Sequence, residues 1–351
     1  MMKKVCHLTS VHPRYDTRVL LKECMSLHRH GYEVHLVVAD GKGFEDYNGI
    51  QVHDVGKPQG RLSRFFKTTK AVYEKGLELN AEIYHFHDAE LMPSGIKLKR
   101  KGKKVIYDSH EDLPRQLMSK HYINYFLRKP ISALIEWYEN YASRKFDLII
   151  TATPHIQKRF SKLNKSSLDI NNYPLLSELN TEITDWDSKK NEVCYIGSIT
   201  QIRGLEEVIN AMEYLDGIKL NLAGSFSPKT FKDNLEGRKG WKKTNYLGQI
   251  NREEVKRILR ESRVGIVTFL PYGKLFEYMA QGIPLVASNF DLWKSIIEKV
   301  NCGICINPND PKAIAEAMEV LLSDTSKAKK MGENGRDAVL NIFNWESEEK
   351  K

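Results

Sequence analysis

The segment Lys274–Asn289, KLFEYMAQGIPLVASN, restricts the possible folds more than any other part of the chain. Apolar residues recur at helical spacing as far as Met279, Gly282 ends the helix, and the apolar run Leu285–Ala287 is too short for a further helix. Another short apolar run, Val264–Phe269, precedes the helix. We therefore predict a strand, a helix and a strand in succession, which is the repeating unit of α/β folds with parallel sheets.

Both halves of the chain repeat this alternation of short apolar runs and helical patterns. Its 351 residues suffice for two domains that each bury a core. Between the halves, Asn171–Asn191 is polar and lacks an apolar period, so we place the boundary near Asn180. The prediction is an α/β protein with two doubly wound, Rossmann-like domains, residues 1–180 and 181–325, followed by a C-terminal helix over residues 326–351.

The chain carries a formal net charge of +9, and the segment Lys57–Lys104 holds twelve Lys or Arg against five Asp or Glu. Such a segment favours an anionic membrane surface, nucleic acid or an anionic substrate as a partner. Nucleic acid is not expected, because no recognisable nucleic-acid-binding module accompanies the charge. A solvated helix end explains the same basic residues without any partner.

Several features predict a cytoplasmic protein. No apolar run approaches the roughly 18 residues that a membrane span needs, and the N-terminal MMKKVCHLTSVHP has the pattern of a first strand, not of a signal peptide. Five scattered cysteines predict free, buried thiols in a reducing compartment. Cys302 and Cys305 form a CxxC without a second Cys or His pair, so we expect core packing there and no metal.

The loop after the first predicted strand, SVHPRYD, is polar and contains no GxGxxG pattern, which argues against a dinucleotide-dependent oxidoreductase. It ends at Asp16, just before a helical pattern. Either Asp16 only caps this helix and Arg18 is exposed, or both residues belong to a binding site. The residues alone leave the two roles open.

Polar side chains also follow two later predicted strands. His85 and His87 alternate onto one face of a strand end. A hydrogen-bonded or substrate-facing pair is favoured there over a metal site, because no third ligand group follows nearby in sequence. His110 and Glu111 come directly after the predicted strand Lys104–Ser109, at the edge where open α/β sheets bind ligands.

In the second half, two loops carry the residue types that bind phosphate. Gly197 permits a tight turn after a strand, and Arg203 precedes the next helix, where a guanidinium suits a diphosphate. Lys274 lies at the start of a helix whose N–H groups also favour an anion. Glu277, one turn later, is placed to reach a neighbouring hydroxyl group, and Gly224 ends another strand.

These motifs, above all KLFEYMAQGIPLVAS and the HPxxDTR-like run before the first helix, resemble those of family 4 glycosyltransferases, retaining enzymes with the two-domain GT-B fold. The resemblance extends over nearly the whole chain and is stronger in its second half. It implies that Glu277 contacts the ribose of a nucleotide sugar and that His110 faces the transferred sugar in a cleft between the domains. His110 and Glu277 are therefore the catalytic candidates. The implied donor-binding residues are Gly197, Arg203, Gly224, Lys274 and Phe276, and further cleft candidates are Asp16, Arg18, His87 and Glu111.

The chain departs from the family pattern in two places. Phe269 stands where the motif has a first Glu, in a short loop over residues 270–273, and Ser198 stands where an Arg is usual. Two other functions therefore stay open: a non-catalytic partner subunit that binds sugar nucleotides, and a nucleotide-sugar epimerase of the GT-B fold. The epimerase would need acids and bases such as His110, Glu111 and Asp112.

The resemblance implies transfer of a sugar from a nucleotide sugar to a glycan or lipid-linked acceptor in surface polysaccharide synthesis. No cofactor and no metal are expected, since no DxD-type carboxylate pair is evident. The aromatic and basic segment Tyr122–Phe146 either covers the sheet or lies on a membrane. Core packing is favoured, and the membrane alternative predicts a peripheral protein on the inner face of the cell membrane.

Overall fold

A computed structural model describes residues 2–118, 123–179, 185–268 and 272–351. The chain packs as two compact units, Met1–Asn172 with Glu348–Lys351, and Tyr173–Ser347. Asn180, the predicted boundary, lies outside the described residues, and the division by packing comes before it. The last four residues belong to the first unit. Within residues 326–351, for which a C-terminal helix is predicted, the structure has the helices Thr325–Asn341 and Trp345–Glu348.

The first unit is built on one eight-stranded sheet with the order β3-β4-β2-β1-β5-β6-β7-β8. Every neighbouring pair is parallel except β3 and β4, which are antiparallel. Parallel strands place all their carboxyl ends at one edge, so the loops after β1, β5 and β6 meet there. The strands are β1 (Lys4–Leu8), β2 (Glu33–Val38), β3 (Glu45–Tyr47), β4 (Ile50–Asp54), β5 (Ile83–Phe86), β6 (Lys104–Ser109), β7 (Leu148–Thr151) and β8 (Ser167–Asp169).

Helices cover this sheet, and local signals set their ends. The side chain of Asp16 accepts hydrogen bonds from the Arg18 and Val19 amides, which caps the first helical segment. Asn80, in the left-handed conformation, ends the helix that the sequence predicts over Leu62–Leu79. The helices are α1 (Met25–Arg29), α2 (Arg61–Ser63), α3 (Thr69–Leu79), α4 (Met92–Arg100), α5 (Leu113–Met118), α6 (Tyr125–Ser143) and α7 (Pro154–Phe160), with π-helical segments Thr17–Cys24 and Arg64–Thr68 and a 3-10 turn Ala89–Leu91.

Helix α6 is much more exposed than the sequence suggests. Phe126, Leu134 and Trp137 are 83%, 64% and 65% exposed, whereas the buried residues lie near its C-terminal end. The favoured prediction, that its aromatic residues pack in the core, is therefore wrong for most of them. Among the described residues, no helix is both long enough and apolar enough to cross a bilayer.

The second unit has a six-stranded, fully parallel sheet with the order β11-β10-β9-β12-β13-β14. Gly265 of β12 pairs with Leu285 of β13, on either side of the helix predicted between them. This confirms the strand, helix and strand that the segment Lys274–Asn289 indicates. The strands are β9 (Lys190–Ile196), β10 (Lys219–Ala223), β11 (Thr244–Gly248), β12 (Ser262–Val267), β13 (Leu285–Ser288) and β14 (Gly303–Ile306).

The C-terminal helices belong to this second unit. A Cβ atom at Gly332 would lie 2.1 Å from the carbonyl oxygen of Gly282, so the glycine permits backbone contact with the turn before β13. The helices are α8 (Leu205–Ala211), α9 (Phe231–Glu236), α10 (Arg252–Glu261), α11 (Tyr272–Ala280), α12 (Asp291–Val300), α13 (Pro311–Ser323), α14 (Thr325–Asn341) and α15 (Trp345–Glu348), with 3-10 turns Leu176–Glu178, Trp186–Ser188, Gln201–Arg203, Met212–Tyr214 and Lys239–Lys243.

Buried apolar residues form separate cores. The second unit has one large core that includes Val193, Leu222, Ile266 and Met279. The two faces of the first sheet have their own clusters. All five cysteines are free, and Cys302 is fully buried, as the sequence predicts for core thiols.

Candidate active site

A cavity of about 660 Å³ opens at the carboxyl edge of the first sheet. His87 follows β5 and His110 follows β6, so the neighbouring strand ends bring these two predicted residues together. Glu111 also lines the cavity. His12, from the loop after β1, completes the set. Three loops that are distant in sequence thus supply imidazoles and a carboxylate to one space.

A buried carboxylate holds the two histidines after the strands. His110 Nε2 lies 2.8 Å from Asp108 Oδ2, and His87 Nδ1 lies 3.2 Å from the same oxygen. Burial opposes ionisation of Asp108, but the Arg18 guanidinium and His110 hold the pKa of Asp108 well below its usual range. Burial also lowers the pKa of His87. The ionised carboxylate therefore accepts a hydrogen bond from His110 Nε2–H, which fixes the orientation of the imidazole ring.

Arg18 supports this network from below and does not line the cavity. Its Nε and Nη2 each donate to an Asp108 oxygen at 3.0 Å, and its Nη1 donates to the Ile170 carbonyl at 2.8 Å. The side chain is buried, so the alternative of an exposed Arg18 is wrong. A two-pronged arginine–carboxylate pair fixes the orientation of the carboxylate as well as its charge.

The predicted candidate Asp16 caps the first helical segment, which is one of the two roles that the sequence left open, and it contacts His12 of the cavity lining. Its Oδ2 lies 3.1 Å from His12 Nδ1, and His12 Nε2 lies 3.6 Å from Asp88 Oδ1. Burial opposes ionisation of Asp16, yet His12 and the capped amides keep the pKa of Asp16 well below its ordinary value. Burial would lower the pKa of His12, but these carboxylates raise it.

Sequence reasoning missed His12 and Glu139, which both line the cavity. Glu139 lies on α6, accepts a hydrogen bond from the Tyr107 hydroxyl at 3.1 Å and pairs with Arg159. The spacing of four residues between His12 and Asp16 could have identified the first. No local signal separates Glu139 from the other charged residues of a long helix.

In the second unit, two predicted glycines meet backbone to backbone. Gly197 follows β9 and Gly224 follows its neighbour β10. Gly224 has a φ of +146°, and a Cβ atom there would lie 1.8 Å from the carbonyl oxygen of Gly197. Only glycine fits this close approach of the loops after β9 and β10.

The turn that carries Arg203 is tied to the end of β12. Arg203 is the last residue of the 3-10 turn Gln201–Arg203, and its carbonyl oxygen accepts a hydrogen bond from the Thr268 hydroxyl at 3.1 Å. Gly204 follows in the left-handed conformation and begins α8. The guanidinium is therefore carried on a loop at the carboxyl edge of the second sheet.

Helix α11 presents the predicted Lys274 and Glu277 together. Lys274 Nζ lies 2.6 Å from Glu277 Oε2, and both side chains are partly exposed. The helix is fixed to β9 because the Ile196 amide donates to the Tyr278 hydroxyl at 2.8 Å. Ile196 directly precedes Gly197, so this bond holds the charged pair in register with the glycine loop.

The predicted donor-binding residue Phe276 lies in the hydrophobic core of the second unit. Its side chain is fully buried, and its ring packs against those of Tyr173 and Phe343 at centroid distances of 4.9 and 5.5 Å. The prediction that its side chain binds the donor is therefore wrong. Phe269, which stands where the family motif has a first Glu, and residues 270–271 lie outside the described residues.

Two groups of described side chains have the composition of metal ligands. One consists of His87, Asp108 and His110 at the cavity. The other consists of His7, Glu23, His85 and His87, and all four are buried. The sequence offered no third ligand near His85 and His87, because the further ligands come from β1 and from the helical segment Thr17–Cys24.

Each of the two units matches a family model of glycosyltransferases. The model of the group 1 glycosyl transferases matches residues 177–338, and the model of glycosyltransferase family 4 matches residues 17–167. An uncharacterized glycosyltransferase of Methanocaldococcus jannaschii is 26% identical over 44% of this chain and 42% of that protein. The glycogen synthase of Mycobacterium tuberculosis is 23% identical over 44% of this chain and 40% of that protein. The matched part thus spans less than half the length of these relatives.

Solved structures share the fold over the whole chain. Sucrose-phosphate synthase from Thermosynechococcus elongatus superposes with a TM-score of 0.77 at 16% identity, and the match covers 100% of this chain and 97% of that one. HepE of Anabaena in complex with UDP superposes with a TM-score of 0.72 at 14% identity, covering 100% and 98%. The two family models together take in most of the sequence, and the chain belongs to the group 1 and family 4 glycosyltransferases, a family of transferase enzymes with the GT-B fold.

Proposed function

We propose that this chain transfers a sugar, with retention of anomeric configuration, from a nucleoside diphosphate sugar to a lipid-linked glycan acceptor in surface polysaccharide synthesis. The observation that carries the proposal is the cavity at the first sheet edge. It combines a fixed imidazole, His110, with a rim of exposed aromatic and basic side chains. The donor is assigned to the second unit and the acceptor to the first.

The donor assignment rests on the loops of the second unit. Gly197 and Gly224 lie in loops at the carboxyl edge of the second sheet, and Arg203 and Lys274 supply positive charge. The first turn of α11 adds unpaired N–H groups at the positive end of a helix dipole. Glu277 is the carboxylate that accepts hydrogen bonds from the ribose hydroxyls. UDP is the first nucleotide to test, since HepE is known in complex with UDP.

The transfer reaction requires the protein to stabilise negative charge on the diphosphate leaving group. When the bond between the anomeric carbon and the diphosphate breaks, negative charge grows on the phosphate oxygens. Fixed cations and backbone N–H groups that already point at that position stabilise it without reorganisation. In the proposed enzyme Arg203, Lys274 and the start of α11 do this, and no metal is assigned to the diphosphate.

On the acceptor side, His110 has the geometry of a hydroxyl partner. Asp108 fixes its Nε2–H, and we assign Nδ1 as the hydrogen-bond partner of a sugar or acceptor hydroxyl. His12, held between two carboxylates, adds a polar contact on the other wall. We assign both residues to the orientation of hydroxyl groups near the reacting carbon.

The lipid assignment rests on two exposed segments beside the cavity. Phe65 and Arg64 of one helix and Ile135 and Tyr138 of α6 line it. The same helices carry exposed Leu62, Phe66, Phe126, Leu134 and Trp137 together with nearby basic residues. Aromatic and basic side chains on one surface favour the interface of an anionic membrane. An acceptor anchored in that membrane would present its head group at the cavity.

One experiment tests the lipid assignment. Sedimentation with phosphatidylcholine vesicles, with and without phosphatidylglycerol, measures binding for the wild type and for Phe66→Ser with Trp137→Ser. Binding that needs the anionic lipid and falls in the double variant is expected. Tyr214→Ser is the matched control, because Tyr214 is an exposed aromatic residue of the second unit. Equal binding of all three proteins would contradict the assignment.

A second experiment tests the reaction. The wild type is incubated with UDP-sugars and GDP-sugars and with either a lipid extract or soluble glycans. Nucleotide release that requires the lipid extract, and a product whose anomeric configuration matches the donor by NMR, is the expected result. Donor turnover without any acceptor would instead favour the epimerase. Nucleotide binding without turnover would favour a partner subunit.

A further inference from the structure

Behind the cavity, four buried side chains from three segments converge on one point. They are His7 of β1, Glu23 of the helical segment Thr17–Cys24, His85 of β5 and His87 just after β5. One nitrogen or oxygen atom from each lies within 4.8 Å of the corresponding atoms of the other three. The three imidazole rings stack at centroid distances of 4.5 to 5.2 Å.

Several polar atoms of this cluster lack a hydrogen bond among the described residues. These atoms are His7 Nε2, His85 Nε2 and both carboxylate oxygens of Glu23. His85 Nε2 lies 3.9 Å from Glu23 Oε2, which is too long for a hydrogen bond. A buried polar atom without a partner costs about 1–3 kcal/mol, so several together at one point call for an explanation.

Glu23 shares the guanidinium of Arg18 with Asp108. Arg18 Nε lies 3.0 Å from Glu23 Oε1, but the donor groups of Arg18 are directed at Asp108 and Ile170. One guanidinium thus faces two buried carboxylates, Asp108 and Glu23. A cation among the three imidazoles would be a second partner for the carboxylate of Glu23.

We propose that His7, Glu23, His85 and His87 bind a divalent transition metal, with Zn²⁺ as the first candidate. Three imidazole nitrogens and one carboxylate oxygen are a donor set that Zn²⁺ accepts, and four protein ligands without solvent access define a structural site. Metal–ligand distances of about 2.0–2.2 Å place tetrahedral donor atoms about 3.4 Å apart. The corresponding atoms of the four side chains lie within 4.8 Å of one another, so metal binding would bring them closer together.

The site would have a role separate from the transfer reaction. It joins β1, β5 and the helical segment Thr17–Cys24 directly beneath the cavity. His87 belongs both to the proposed metal site and to the lining of the cavity. The Nδ1 of His87 already lies 3.2 Å from Asp108, the kind of carboxylate partner that metal-bound histidines usually have. The metal is thus inferred to position His87 and Asp108, and through them His110, without touching substrate.

The test begins with the wild-type protein in untagged form. Elemental analysis by inductively coupled plasma mass spectrometry should find about one equivalent of Zn²⁺ per chain after growth with zinc. Replacement by Co²⁺ should give the strong visible absorption of a four-coordinate ion. Absence of stoichiometric metal, both as purified and after refolding with Zn²⁺ or Co²⁺ alone, would overturn the proposal.

Variants locate the metal. His85→Gln and Glu23→Gln should each lose most of it, with no residual four-coordinate Co²⁺ spectrum. His53→Gln is the matched control: His53 stacks on His35 in the same sheet, 3.0 Å from its Nδ1, and belongs to neither metal-ligand group. Full metal content in all three variants would also overturn the proposal, because the ion would then lie elsewhere. If a ligand variant fails to fold, the Co²⁺ spectrum of the wild type decides.

Discussion

Replacement of Glu277 by alanine separates ligand binding from stability. Among the described residues, the carboxylate of Glu277 pairs with Lys274 on the same helix, and the two side chains are 42% and 30% exposed. An exposed pair at this spacing contributes about 0.2–0.5 kcal/mol to the free energy of unfolding. Glu277→Ala should therefore leave the stability of the free protein nearly unchanged.

The effect on nucleotide binding should be much larger. Hydrogen bonds from ribose hydroxyls to a charged carboxylate contribute about 1.5–3 kcal/mol, so the Kd for UDP or GDP should rise by about 10- to 150-fold. A ligand at 100 times the wild-type Kd stabilises the wild type by about 2.7 kcal/mol. After a 30-fold loss of affinity, the same concentration would stabilise the variant by only about 0.9 kcal/mol.

Urea unfolding with and without nucleotide, in the presence of EDTA, measures both quantities. Glu253→Ala is the control, because it removes a similar pair with Lys256 on α10, at 2.8 Å and three residues apart. The control should keep the full nucleotide effect. Full stabilisation of Glu277→Ala would refute the ribose contact. No effect of any nucleotide on the wild type would refute the donor site as a whole.

Three further predictions concern other parts of the chain. Gly224→Ala should destabilise the protein by more than about 2 kcal/mol, because its Cβ would meet the Gly197 carbonyl oxygen at 1.8 Å. Gly237→Ala should be tolerated, because no atom would lie nearer than 3.8 Å to the added Cβ. Urea unfolding of the two variants measures the difference. His110→Ala should lower turnover by about 10²-fold or more while the Kd for nucleotide, measured by calorimetry, stays constant; a parallel loss of nucleotide binding would contradict the acceptor-side role. Burial lowers the pKa of Lys189 to about 8, below the ordinary value of about 10.4. Between these two values the unfolded chain binds more protons than the folded one. The free energy of unfolding should therefore rise from pH 8 to about 10. Lys189→Met should abolish that rise, and an equal rise in the variant would assign it to other groups.

The sequence predicts well what is set by neighbouring residues. The helix α11 and the strands on either side follow from apolar spacing and from the stop at Gly282, and the structure confirms them. Asp16 is recognisable as a cap for the same reason. Phe276 shows the opposite case, since helical spacing alone puts it on the apolar face, while the motif suggested a ligand contact.

Features that depend on distant residues escape such reasoning. Arg18 and Asp108 are 90 positions apart in sequence, and only the parallel order β1-β5-β6 brings them together. Likewise, His85 and His87 gain Glu23 as a neighbour from a helix that packs on their sheet. The aromatic face of α6 has the same periodicity whether a sheet or solvent covers it, so its exposure needed the folded structure.

The return of the last four residues to the first unit makes the second unit an insertion. Glu348 Oε2 accepts a hydrogen bond from the Asn171 amide at 2.8 Å, so the points where the chain leaves and re-enters the first unit are joined. Any exchange of the second unit with that of a relative therefore needs two junctions, one near residue 172 and one near residue 347. A chimera made with a single crossover would give the first unit foreign residues in place of Glu348 and its neighbours.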